Sequence, residues 1–254
     1  MKRFKHLYPW QVASRLAGAQ LTCRVLDELR IDMDTVRSEV DRIVSEYSPA
    51  VHSGRYHDGG WKAIGLIAHD GDPADDRLKL PLKKTQAFAL APYLESLFDG
   101  LAAKKLRVRL MELQPGKSIL WHYDRGESID GNRSVRFHMP IVTNEGVRCQ
   151  ISHEDVSWRE GEIWYGDFSF PHRLFNGGER SRVHLVFDLA WDDFVVSLFP
   201  KAFLEGKNSR MRIKGACQHM VDLYDIGRLP RAQKFERIKR LFRNATPTAL
   251  TTAT

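Results

Sequence analysis

The sequence is poor in cysteine, and what it has fits neither of the usual uses of a cysteine set. Cys23, Cys149 and Cys217 are odd in number, far apart and without a C-x-x-C pair. That excludes a disulfide scaffold and a thiolate zinc site, and leaves ordinary thiols in a reducing compartment. Long apolar runs are also missing. No stretch approaches the roughly 18 uninterrupted apolar residues of a membrane span, and the basic opening MKRFKHLYPWQVASRLAG is interrupted by Gln11 and Arg15, unlike a secretory leader. A cytoplasmic protein without a membrane partner is the expectation. No internal repeat is found.

What is present suffices for a large core. The chain has 254 residues, 43% of them apolar, with six Trp, thirteen Phe and seven Tyr, enough for one domain or one domain with a small appendage. The net charge of +7 is unevenly placed. From Lys201 to Thr254 there are twelve Lys/Arg and four Asp/Glu, a balance of +8, which leaves −1 for residues 1–200. The positive excess therefore belongs to the C-terminal segment and does not make the whole chain a nucleic-acid binder.

Periodicity divides the chain into three parts. Val36, Val40, Ile43, Val44 and Tyr47 form one apolar stripe of a helix that Asp32 or Asp34 can cap. After a polar loop and the strand-like run WKAIGLIAH, a second helix is expected over 92–101, opened by Pro92 and closed near Gly100. From Lys105 the period shifts toward two. KLRVRLMEL, SILWHYD, SVRFHMPIV, RCQISH, EIWYGD and RVHLVFDLAW are short β-rich runs separated by PG, DG, NEG, EG and NGG turns, the pattern of a sandwich or jelly-roll. The pattern becomes helical again after Trp191. There KFERIKRLFR sets Phe235, Ile238 and Leu241 on one face and a basic set on the others, suited to a lid over the pocket or a dimer contact, followed by a frayed tail.

Residues two apart in a strand share a side, so His122 and Asp124 in WHYD face one point while Tyr123 faces away. A second histidine would complete the two-His-one-carboxylate set used by non-haem Fe(II) oxygenases. His172 in DFSFPHRLFN lies 48 residues beyond Asp124, and Arg182 follows ten residues later. An inward-facing arginine needs an anion, and its planar fork suits a carboxylate.

On the segments RLMELQPGKSILWHYD, VRFHMPIVTNEG, GEIWYGDFSFPHRLFNGG and RVHLVFDLAW, the chain resembles the aspartyl/asparaginyl β-hydroxylase-like 2-oxoglutarate oxygenases from about Trp61 to Trp191. Within them it is most similar in type to bacterial free-amino-acid hydroxylases such as proline cis-hydroxylase. The resemblance implies a mainly β protein with flanking helices: a double-stranded β-helix (jelly-roll, cupin-like) over 1–200 and a basic helical segment over 201–254. It implies Fe(II) held by His122, Asp124 and His172, 2-oxoglutarate held at its distal carboxylate by Arg182 with Arg136 and His138 lining its pocket, and O2 as oxidant. It also implies hydroxylation of an aliphatic C–H in a free amino acid or related metabolite, with release of succinate and CO2, in a biosynthetic setting. The animal protein hydroxylases of the family lack the carboxylate ligand, so Asp124 favours the small-molecule branch and argues against a halogenase.

Other readings stay open. The same chemistry could serve a peptide, a carrier-bound amino acid or a nucleotide. A non-catalytic cupin-like binding module and a zinc hydrolase are the other candidates, disfavoured by the complete ligand set with its arginine. Arg136 could pair across the sheet with a carboxylate such as Glu112, and His184 reads first as a structural hydrogen-bonding histidine. Trp61, Arg109 and Trp164 are candidates for a substrate pocket, His153 for an exposed turn, and Asn176 for a turn residue.

Overall fold

The computed structural model describes residues 7–54, 56–229 and 233–234. In chain order the elements are helix α1 (Pro9–Leu16), β1 (Thr22–Val25), α2 (Met33–Glu46), β2 (Ala50–Val51), β3 (Trp61–His69), β4 (Leu82–Lys84), α3 (Pro92–Asp99), β5 (Lys105–Leu113) and β6 (Ser118–His122). There follow β7 (Ser134–Val142), β8 (Val147–Ile151), β9 (Glu154–Val156), β10 (Ile163–Gly166), β11 (His172–Asn176), β12 (Arg182–Ala190), α4 (Asp193–Ser197), α5 (Lys201–Glu205) and α6 (Lys207–Arg228). The strands make two antiparallel sheets. The larger runs β1-β10-β7-β12-β5-β3-β2, with β4 on the edge of β3, and the smaller runs β6-β11-β8-β9. This is the jelly-roll expected from the period-two runs. The five-residue strand that carries His172 and the short strands β1, β2, β4 and β9 carry too few alternating residues to stand out in sequence.

Strand parity decides what each face of the larger sheet meets. Val108 and Leu110 of β5, Phe137 and Met139 of β7, and Leu185 and Phe187 of β12 point outward into one apolar core with Val36, Val40 and Ile43 of α2 and Leu94 and Phe98 of α3. The alternate residues of the same strands, Arg107, Arg109, Arg136, His138, Arg182 and Asp188, are also buried. They point between the two sheets, so these strands are covered on both sides and are apolar on one only. The chain crosses from β5 to β6 at Pro115-Gly116, where Gly116 has φ +71. A tight turn with a left-handed residue after proline is natural for Pro-Gly.

The helices are fixed by polar contacts as well as by apolar stripes. Asp32 caps α2, its carboxylate accepting from the backbone N–H groups of Asp34 and Thr35. Helix α3 has no cap of its own. Glu39 of α2 supplies one, accepting from Tyr93 N at 2.8 Å and Leu94 N at 3.0 Å. Helices α1 and α6 lie against the outer side of β6, where Trp10 stacks on Tyr8 and meets Trp121 and Tyr224 edge-on. Phe203 of α5 packs on Tyr165 of β10, and Arg210 of α6 is buried on Asp130 at 2.7 Å. The amphipathic run from Phe235 to Arg243 and the tail after it lie outside the described residues. Among the described residues no helix is long and apolar enough to cross a membrane.

Because Glu39 satisfies two N-terminal donors of another helix from a buried position, Glu39→Ala should destabilise the protein by about 1 to 3 kcal/mol. Glu39→Gln should recover part of that. Urea unfolding followed by circular dichroism measures both; equal stability of wild type and Glu39→Ala would show that the contact contributes nothing.

Candidate active site

His122 and His172 are directly opposite each other in the β6–β11 ladder, with ring centroids 4.1 Å apart. Asp124 lies just beyond β6, where its N–H donates to Phe168 O at 2.8 Å. One ligand atom from each of the three lies within 4.8 Å of the others, and among the described residues no other His/Cys/Asp/Glu group comes together in this way. The arrangement fits a metal at the level of the donor atoms. His122 Nδ1 is 2.8 Å from Leu120 O and His172 Nδ1 is 3.0 Å from Phe170 O. A carbonyl only accepts, so each Nδ1 carries the proton and each Nε2 keeps its lone pair for a metal. Burial, reinforced by neighbouring His122, holds His172 neutral with its pKa near 3. Burial alone would raise the Asp124 carboxyl, but Arg136, His172 and His122 bring it down to about 2. Two neutral imidazoles and one carboxylate are what a divalent ion needs.

The larger sheet lines the other side of a cavity of about 200 Å³. Its register sets out the charges in rows. Asp188 faces Arg136 across β12–β7 and pairs with Arg107 at 2.9 Å. One step along, Val186 lies between Arg109 of β5 and His138 of β7. Farther on is Arg182, whose Nη2 is 2.8 Å from His184 Nδ1.

Arg136 lines the cavity, and its guanidinium makes four hydrogen bonds to three carboxylates: two to Asp188, one to Glu127 and one to Asp124. The cross-strand carboxylate is Asp188, not Glu112. Arg136 thus holds one oxygen of Asp124 in place.

Arg182 differs. It is 6% exposed, its Nε has no partner, and no carboxylate pairs with it among the described residues. Burial lowers its pKa to about 10, with Cys149 the only group opposing. A buried guanidinium without a counter-ion is costly, so the site calls for an anion. His138 lines the same cavity with both ring nitrogens unpartnered, and it is held neutral by burial and then by Arg182. His184 is the hydrogen-bonding histidine expected, with the Arg182 side chain as its partner.

The remaining candidates divide. Trp61 and Arg109 line the cavity, and Arg109 also has an unpartnered Nε and a pKa lowered to about 9 by burial, then by Arg107 and Arg136. Trp164 does not line it; it stacks on Trp158 and donates to Glu162. His153 lies in the turn between β8 and β9 as expected but is half-buried, with Ser14 Oγ 2.8 Å from its Nδ1. Asn176 is buried and donates to Leu113 O and Arg180 O, joining β11 to β5. The sequence reading missed His52, Asp76, Arg107, Glu127 and Asp188. For Arg107 and Asp188 a signal existed, since both are charges on the inward parity of otherwise apolar strands.

Comparison with known proteins agrees with this geometry. The family model described as aspartyl/asparaginyl beta-hydroxylase matches residues 28–191, more than half of the chain. The chain belongs to that family. It is accordingly a 2-oxoglutarate-dependent oxygenase, with Fe(II), 2-oxoglutarate and O2 as its reagents. Among solved structures it is similar to a prolyl-4-hydroxylase of Pseudomonas putida, at 13% identity and TM-score 0.43, over 71% of this chain and 97% of that one. It is also similar to a prolyl hydroxylase of Trichoplax adhaerens bound to a hypoxia-inducible-factor peptide, at 13% identity and TM-score 0.45, over 76% and 97%. A third is the α-ketoglutarate-dependent carbocyclase of nogalamycin biosynthesis, at 11% identity and TM-score 0.46, over 74% and 91%. Likeness at this level carries no information about the substrate.

Asp188→Asn should release both Arg107 and Arg136 and, through Arg136, Asp124. The expected cost is about 3 to 5 kcal/mol, with metal affinity lower by about tenfold to a hundredfold, measured by thermal melting and by metal titration. The pH dependence has a definite sign. Arg136 and Arg107 hold the Asp188 carboxyl well below its usual value against the effect of burial, so its contribution is complete above about pH 4 and lost as pH falls below that. The melting temperature of wild type should therefore drop more between pH 5 and 3 than that of Asp188→Asn; parallel curves would contradict the assignment.

Proposed function

We propose that this oxygenase hydroxylates an aliphatic C–H of a free amino acid or related small metabolite, with Fe(II) on His122, Asp124 and His172 and the distal carboxylate of 2-oxoglutarate on Arg182. The observation that carries the reading is the sharing of one cavity by an open His-Asp-His cluster and a buried guanidinium without a carboxylate. A zinc hydrolase has no need of the second feature. A passive binding module has no need of both.

The protein's part follows from its own groups. The backbone carbonyls of Leu120 and Phe170 keep the two imidazoles in the tautomer that offers Nε2, and Arg136 keeps Asp124 ionised and oriented. Arg182 binds the co-substrate as a paired ion, and neutral His138 beside it has nitrogens free to hydrogen-bond. The buried walls limit the water that reaches the reacting centre. Iron held by His122, Asp124 and His172 would supply the oxidising power for a reaction that consumes O2 and 2-oxoglutarate and releases succinate and CO2.

The second guanidinium without a carboxylate among the described residues, Arg109, supports a substrate that bears one. We assign the segment 201–254 a role as a cover of the pocket or a contact in a homodimer, and place the protein in the cytoplasm.

Anaerobic addition of Fe(II) and 2-oxoglutarate should produce a visible absorption band, and air with an amino-acid panel should yield succinate. Asp124→Ala should abolish hydroxylation. Arg182→Ala should weaken apparent 2-oxoglutarate affinity about a hundredfold, as expected for loss of a buried charged hydrogen bond. An unchanged affinity in that variant would overturn the assignment of Arg182, and absence of both band and succinate would overturn the function.

A further inference from the structure

The cavity wall holds one more pair of reactive groups, unused by the iron cluster and the Arg182 clamp. His52 follows β2, its backbone N–H donating to Trp61 O at 2.9 Å, and its ring meets the Trp61 indole edge-on at 3.7 Å between centroids. Behind the imidazole lies the buried carboxylate of Asp76, which pairs with His52 Nδ1. Ser53 Oγ also donates to that carboxylate, at 2.9 Å. The nearby Arg107 donates to the backbone oxygen of Asp76 instead, and Arg77 pairs with Asp75.

No arginine therefore bonds to the Asp76 carboxylate among the described residues. Its charge acts through the imidazole. With Nδ1 set against the carboxylate, Nε2 is left as the acceptor, and burial, the largest effect, holds the ring neutral against the charge of Asp76. His52 lines the same cavity as Arg109, and Arg109 is close enough to influence the charge of both His52 and Asp76. The other carboxylates on the wall, Asp124 and Glu127, are already bonded to Arg136. One wall thus presents two complementary poles, a guanidinium without an anion and an acceptor without a donor.

We infer that this wall reads the zwitterionic head of a free α-amino acid, the Arg109 guanidinium taking the carboxylate and the Asp76-backed imidazole of His52 accepting from the ammonium. This rests on the small-molecule reading above and narrows it. An N-acylated amino acid lacks the cation, an ester lacks the anion, and a residue inside a peptide lacks both. Each misfit leaves a buried polar group unpaired, which is the more effective way for a site to reject an analogue.

The test uses the twenty standard L-amino acids, each free, N-acetylated and as the methyl ester, with succinate formation as readout and titration calorimetry for the best one. Wild type should favour the free form over the N-acetyl form by about tenfold or more in kcat/KM. His52→Ala should reduce that preference below about threefold, mainly through KM, and His52→Gln, which keeps an acceptor, should restore part of it. If His52→Ala fails to give a folded circular dichroism spectrum, the ratio measured for His52→Gln decides, an unaltered ratio counting against the inference. Equal use of free and N-acetyl forms by wild type, or a preference untouched by His52→Ala in folded protein, would overturn this inference and leave the hydroxylase reading standing. Absence of succinate with every free amino acid would overturn both.

Discussion

Asp188 is a fully buried carboxylate between two guanidiniums on the inner face of the larger sheet, and the chemistry of the cavity depends on it. Removed from water alone, any of these charges would cost several kcal/mol. Together, Arg107, Asp188 and Arg136 form a row across three adjacent strands, each charge answering the next. Arg136 then extends the row to Asp124 in the other sheet. Asp124, the proposed metal ligand just beyond β6, acquires a fixed orientation from a strand it does not belong to.

The same row explains why two other arginines are available. In a cavity with this many cations, the carboxylates Asp188, Glu127 and Asp124 are taken up by Arg107 and Arg136, and among the described residues no carboxylate pairs with Arg109 or Arg182. Under the proposed function their counter-ions come from the co-substrate and the prime substrate, which would pair with charges already desolvated and held in place.

The opposite face of the sheet has a separate task. Leu185 and Phe187 belong to the core under α2 and α3, while Arg182, His184 and Asp188 on the same strand are buried between the two sheets, Arg182 in the cavity wall. A strand of nine residues thus serves stability with one parity and chemistry with the other. Tyr123, between His122 and Asp124, points the other way and donates to Asp222 of α6, so helix α6 is anchored on the back of the segment that carries them.

Much of this was open to a reader of the sequence. Alternation placed His122 with Asp124, turn residues divided the strands, and the spacing to His172 and Arg182 suggested one site, because all these signals are local or additive along the chain. The partners of Arg136, the Asp76 carboxylate behind His52 and the exclusion of Trp164 were not legible. They depend on register between strands distant in sequence and on the path of the loop after β3, and a change of one residue in register moves every side chain to the other face. The sequence by itself determined which groups could act, through residue type and strand parity. Only the tertiary structure decided which charges neutralise one another and which are left for a ligand, because that depends on distances of a few ångströms between residues far apart in the chain.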